Sequence, residues 1–183
     1  MRIKIKQLTF SIVTCAYLFC GCNSDSKSSP TDLKQNRLDS LRIIINDLEL
    51  VDKSQLTLEQ QTSLLKAYQG YYNTAGKDTI ALNYLFEAAN LAQVLGKYEK
   101  SIEMFIDFHD GFPASHRCDE AVYNIAYIYD ARLKNSEKAT TYYNKVIELY
   151  PNSLWAEQAK GALHFVGLSD EEVIKKLDEI NAK

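Results

Sequence analysis

Apolar residues recur along most of this chain at helical spacing, three or four positions apart, in blocks separated by short polar breaks. Between Tyr84 and Pro151 the same block pair is written twice. The stretch YLFEAANLAQVLGKYEKSIEMFIDFHDGFP is followed by AVYNIAYIYDARLKNSEKATTYYNKVIELYP. Leu85, Phe86, Ala89 and Leu91 return as Val122, Tyr123, Ala126 and Ile128. Tyr98, Ile102, Phe105 and Pro113 return as Ser136, Thr140, Tyr143 and Pro151. The step is 37 residues in the first half and 38 in the second. The pattern places the added residue in a longer turn around Leu133-Lys134-Asn135. Self-similarity at this length marks stacked supersecondary units rather than one globular core.

The pattern continues on both sides. Pro151-Asn152-Ser153 repeats Pro113-Ala114-Ser115, so Ser153 and Ser115 are each expected to open a helix by accepting its free N–H groups. Upstream, Leu65, Tyr68, Tyr71 and Asp78 stand 37 residues before Ile102, Phe105, Phe108 and Ser115. Thr57–Asn73 therefore reads as a second-type helix, with Thr57 and Gln60 as a capping box, Gly76 in place of the closing proline and Asp78 capping the next helix. Before it, Asp32–Leu48 is helical by pattern. Leu38, Leu41, Ile45 and Leu48 make a stripe that Ile43 and Ile44 widen, which predicts one well-buried face. After the repeats, Ser153–Phe165 is one helix and Val166-Gly167-Leu168 a turn. Ser169 and Glu172 cap a last helix with a polar outer face, suited to closing the end of a stack.

These features resemble the tetratricopeptide repeat, a helix–turn–helix unit. Small residues stand where its two helices cross: Ala88, Ala89 and Ala126, with Ala139 on a second helix. Gly96-Lys97-Tyr98 looks like the turn between helices, and Pro113 and Pro151 like the closing proline, which stops a helix because it lacks an N–H. Ser101 departs from the family pattern by standing in a usual alanine position. Longer steps with a P-x-S opening are similar to the envelope branch of the family. That branch includes the repeat lipoprotein of the β-barrel assembly machinery and the periplasmic repeat protein of the Tol-Pal system. The resemblance implies an all-α fold: a stack of helical hairpins in a short right-handed solenoid, with a C-terminal capping helix.

The N-terminus follows another rule. Arg2, Lys4 and Lys6 precede an apolar run from Leu8 to Gly21, about 14 residues, right for a signal-peptide core and too short to span a bilayer. Phe19-Cys20-Gly21-Cys22 resembles a bacterial lipobox, which implies cleavage before Cys22 and lipidation of that cysteine. The chain then divides into a signal peptide (1–21), a serine-rich flexible tether (22–31) and a helical repeat domain (32–183). Within that domain the hairpins lie near 79–113 and 116–151, and the capping helices at 153–182. Acyl chains on Cys22 would hold the domain at a membrane. Asn23, where an aspartate favours inner-membrane retention in enterobacterial lipoproteins, points to the outer membrane and its periplasmic side, with the cell surface as the alternative.

Composition narrows the function. Cleavage before Cys22 leaves 18 basic residues against 24 acidic ones, a balance of −6 that argues against a nucleic-acid partner and against a polybasic membrane patch. Only Cys118 remains in the repeat domain, where its register with Ala156 makes it a small apolar side chain in an inter-unit turn. His116, Cys118 and Asp119 are therefore not read as a metal or nucleophile site. His164 is read as a residue of the core edge. All seven glycines are isolated, and neither G-x-S-x-G, H-E-x-x-H nor C-x-x-C occurs, so no cofactor, metal or small-molecule substrate is expected. Most of the twelve tyrosines fall on repeat positions and read as packing.

The remaining reading is a non-enzymatic scaffold or adaptor for a protein or peptide of the cell envelope. Its alternatives are a constitutive accessory subunit of an outer-membrane assembly complex and a wall-directed enzyme. By the family resemblance, first helices line the concave face. That gives a candidate groove of Phe86, Asn90, Glu120, Tyr123, Asn124, Tyr127 and Asp130: aromatic anchors, amides and an acidic rim. Asn90 and Asn124 fall where some family members clamp a C-terminal carboxylate. Phe86, Trp155 and Ala159 occupy the positions expected to be basic, so a carboxylate clamp is not implied. Phe86 and Tyr123 have an equal alternative, packing on the neighbouring unit.

Overall fold

The computed structural model describes residues 29–76 and 78–181. The signal, Cys22 and most of the tether lie outside these residues. Those described form eight α-helices and no strand, and helices adjacent in sequence pack against one another from α1 to α7. They are α1 (Pro30–Glu49), α2 (Leu58–Ala75), α3 (Thr79–Val94), α4 (Tyr98–Gly111), α5 (Cys118–Tyr127), α6 (Ser136–Leu149), α7 (Leu154–Leu163) and α8 (Asp170–Asn181). The fold is a tetratricopeptide-like stack of helical hairpins.

Local chemistry sets the helix ends. Thr57 and Gln60 exchange side-chain and backbone hydrogen bonds at the start of α2, and Ser169 and Glu172 do the same before α8. Asp78 and Ser153 accept from Ala81 N and Ala156 N. Ser115 differs. It lies three residues before α5 and accepts from Arg117 N at 3.3 Å, so α5 starts at Cys118. Ser115 thus orders the approach to the helix without capping it.

The hairpin crossings are closed by small side chains: Ala88, Ala89, Ala126 and Ala139 are all fully buried. Ser101, also fully buried, donates from Oγ to the Ala89 carbonyl at 2.7 Å. It fills an alanine-sized gap and satisfies its hydroxyl across the hairpin, which removes the usual cost of a buried polar group.

The extra residue of the second copy is not in the turn. After α3, Gly96 has φ +70°, and Gly96 N and Lys97 N donate to the Gln93 and Ala92 carbonyls, a Schellman closure. Leu133-Lys134-Asn135 matches Leu95-Gly96-Lys97 residue for residue. The addition lies inside the helix, where Ile128–Arg132 forms a π turn. There Leu133 N reaches Ile128 O and Asn135 N reaches Tyr129 O, each one residue further back than an α-helix or a Schellman motif requires. A π turn absorbs one inserted residue without breaking the helix. Lys134 keeps the left-handed conformation (φ +51°) that Gly96 has in the first copy.

Two further expectations are corrected. On α1, Ile45 is fully buried and Leu38, Leu41 and Leu48 pack beside it, but Ile43 is 62% exposed and Ile44 42%. They fall on the flank that α2 does not cover. His164 ends α7 in solvent and offers its carbonyl to Lys176 Nζ at 2.8 Å. Gly167 follows with φ +79°, and α8 continues with Ile174, Leu177 and Ile180 exposed.

The core has two parts joined at α5. Cys118, Ala121, Ile125 and Ile128 face α2–α4, among Tyr68, Leu85, Phe86, Phe105 and Phe108. Val122 and Ala126 face α6 and α7, among Ala139, Tyr143, Val146, Ala156 and Ala159.

Candidate partner-binding face

The first helices α3 and α5 and the π turn that follows α5 carry the seven predicted groove residues, and the structure divides them. Phe86 is not an anchor for a partner. It is fully buried, with its ring edge-on to Phe105 at 5.2 Å and to Phe108 at 4.9 Å. Its side chain points into the α3–α4 crossing because it lies one position from Leu85 on the apolar face, and the stack covers both. Tyr123 is half-buried and packs on the next unit, 4.8 Å from the Trp155 ring and 5.5 Å from Tyr143. Burial pushes its phenol above the ordinary value.

What remains accessible is polar. Glu87, Asn90, Glu120, Asn124, Tyr127 and Asp130 are each partly exposed. Asp130 is engaged from beneath by the Tyr143 hydroxyl, which donates to Oδ2 at 3.4 Å. Burial first, and then this carboxylate, hold the Tyr143 phenol well above its usual range. Arg132 stands 5.9 Å from the Tyr127 ring and pins it from one side.

The sequence reading missed Arg117. Its guanidinium lies 3.5 Å from the centre of the Phe86 ring and covers it. Arg117 Nε meets Glu120 at 3.1 Å and Nη1 meets Glu87 at 3.4 Å, while Lys53 Nζ meets the other Glu87 oxygen at 2.9 Å. A strap of alternating charge therefore runs from the α1–α2 connection across α3 to the start of α5. The available signal was the Arg117–Glu120 spacing at a helix start, which puts a cation and an acid on one helical face. The basic group absent from the expected positions on α3 and α7 is thus supplied by α5, already paired with two acids.

Asn90 lies one turn beyond Glu87 on the wall of a largely apolar cavity of about 370 Å³. Lys53, Ser54, Gln61, Leu91 and Val94 complete the lining. Asn90 and Asn124 lie on different first helices, and both are partly exposed.

Cys118 is 1% exposed, donates its S–H to the Phe112 carbonyl at 3.2 Å, and has its thiol pushed up by burial, which disfavours the reactive thiolate. His116 is exposed, and among the described residues no group of three or more His, Cys, Asp or Glu side chains could hold a metal ion.

No curated protein matches the chain. Residues 120–153 match the family model of the tetratricopeptide repeat, a span from the first turn of α5 through the π turn and α6 to the cap of α7. Together with the hairpins stacked before it, that match supports a tetratricopeptide-repeat protein.

Proposed function

We propose that this protein is a non-enzymatic interaction scaffold of the bacterial cell envelope, anchored through lipid on Cys22 and displayed at the outer membrane. The repeat match carries the interaction part, because tetratricopeptide repeats mediate protein–protein contacts. The polar face of α3 and α5 supplies a surface for it: Asn90, Asn124 and Tyr127 can hydrogen-bond an extended segment, and the strap on Glu87 keeps the face rigid. The lipobox-like Cys22, the basic-apolar leader and the acidic mature balance support the envelope part. No described helix is long and apolar enough to cross a membrane.

Two experiments test the two halves. Cys22→Ser should release the protein from membranes or leave the precursor uncleaved, and an intact mass of the mature protein without acyl chains removes the anchor. A photo-crosslinking residue at position 127 in cells should capture a defined envelope partner, and Asn90→Ala with Asn124→Ala should abolish that capture. Capture unchanged in a folded double variant removes the α3–α5 face. The exposed Ile174, Leu177 and Ile180 favour a second reading, a constitutive subunit of an outer-membrane assembly complex. Stoichiometric recovery of one partner from solubilised membranes distinguishes it from a free adaptor.

A further inference from the structure

The π turn does more than absorb a residue. It sets Tyr129 and Leu133 beside α4 and leaves a cleft of about 420 Å³ on the second-helix side of the stack. One wall is a single face of α4: Glu99, Ile102, Glu103 and Ile106. The other comprises Tyr129, Leu133, Asn135 and Lys138. Its floor is apolar and its rim charged.

The rim is unbalanced. Glu99 and Glu103, both exposed, form no ion pair among the described residues. With exposed Asp107 they stand four residues apart along α4, an unfavourable like-charge spacing that Lys100, three residues before Glu103 and on the side of the neighbouring cavity, offsets in part. The one cation lining the other wall, Lys138, pairs with neither acid among the described residues: its Nζ lies 5.0 Å from the Tyr129 ring, which stacks on Tyr142 at 5.7 Å. Single π turns inside α-helices recur at functional sites.

We infer that this cleft is a second docking surface, for a segment of a partner protein in which an apolar side chain is flanked by lysine or arginine. The apolar residue would enter between Ile106 and Leu133, and its basic neighbours would pair with Glu99 and Glu103. Charge complementarity selects this occupant over an acidic one. The inference rests on the scaffold reading but uses the face opposite the α3–α5 surface, so one chain could hold two partners at once.

The test uses the full chain and two blocked peptides, each with a Leu-Phe centre, one flanked by lysines and one by glutamates. Backbone amide shifts in NMR should move for the lysine peptide at Ile102, Ile106, Tyr129 and Leu133. Glu99→Lys with Glu103→Lys should weaken that binding about tenfold or more without lowering the melting temperature. The proposal is overturned if both peptides bind equally, if neither binds at millimolar concentration, or if the shifts gather on Asn90, Asn124 and Tyr127. That last outcome leaves the scaffold reading standing. Self-association of the free chain that the same double variant abolishes assigns the cleft to a second copy instead, and also overturns it.

Discussion

Phe86 decides whether this face binds through its aromatic residues or only rests on them. The ring is fully buried, meets two phenylalanines edge-on and lies under the Arg117 guanidinium. Phe86→Ala should cost about 3–5 kcal/mol, the range for a buried aromatic truncated in a core that collapses only in part. That is a large share of the roughly 5–15 kcal/mol a domain has, so the more informative variant is Phe86→Leu. Leucine keeps most of the volume and loses both aromatic pairs, each worth about 0.5–1.5 kcal/mol, so about 1–3 kcal/mol is expected. A double-mutant cycle with Arg117→Met isolates the cation above the ring. Arg117 is 26% exposed, so the coupling should be about 0.5–1 kcal/mol and not the larger value of a desolvated pair. Urea unfolding followed by circular dichroism reads all four variants. Phe86→Leu within about 0.5 kcal/mol of the parent, the scatter of surface substitutions, would refute the packing argument. So would loss of partner binding with stability unchanged.

Four other substitutions and one change of condition extend the same reasoning. Cys118→Ala should change stability by less than about 1.5 kcal/mol, and the native thiol should resist alkylating reagents until the chain unfolds. Ala126→Leu should overpack the α5–α6 crossing by about 1–3 kcal/mol, and an unchanged melting temperature would contradict it. Lys134→Gly should raise stability by about 1 kcal/mol by relieving a left-handed residue, whereas Gly167→Ala should lower it, since φ is +79° and a Cβ would lie 2.9 Å from Ser136 Oγ. Burial holds the Tyr150 phenol at about 12 and raises those of Tyr68, Tyr123, Tyr142 and Tyr143 above 10. Their stabilisation is complete below the unfolded-state value near 10 and is lost as the pH rises through the folded-state values. Melting temperature should therefore fall from about pH 10 upward, with tyrosinate absorbance appearing late, as the chain opens.

The repeat was legible because identical positions do identical packing: Ala89 and Ala126, Phe105 and Tyr143, and Leu65 and Ile102 occupy the same slots in successive hairpins. Capping boxes at Thr57 and Ser169 were equally plain, since three residues suffice to define them. Failures came where the outcome depended on what lies across a helix. Ile43 and Ile44 look as apolar as Ile45, and only the placement of α2 exposes them. Phe86 and Tyr127 are both aromatic residues on first helices, one under a guanidinium and one half in solvent. A one-residue insertion is visible in the 37-to-38 step, but a turn and a π turn absorb it with the same count. Arg117 escaped because the ring it covers, Phe86, and the acid it pairs with across the stack, Glu87, are 31 and 30 residues away.

The two-sided helix α5 makes the stack thermodynamically lopsided. Everything before it forms one continuous core, whereas α6 and α7 pack chiefly on Val122, Ala126 and the tyrosines around them, and reach the first core through Tyr142 and Tyr150 alone. From α6 onward the chain can therefore detach while the rest stays folded, as terminal units of repeat arrays do. The reverse is barred, because removing α4 from α5 would strip Cys118, Ala121, Ile125 and Ile128 at once. Amide protons should exchange in that order, with α6 and α7 fast, α3 and α4 slow, and α5 tracking the slow group. A protease would meet its first open backbone near Asn135, and the fragment left behind would still be a closed structure.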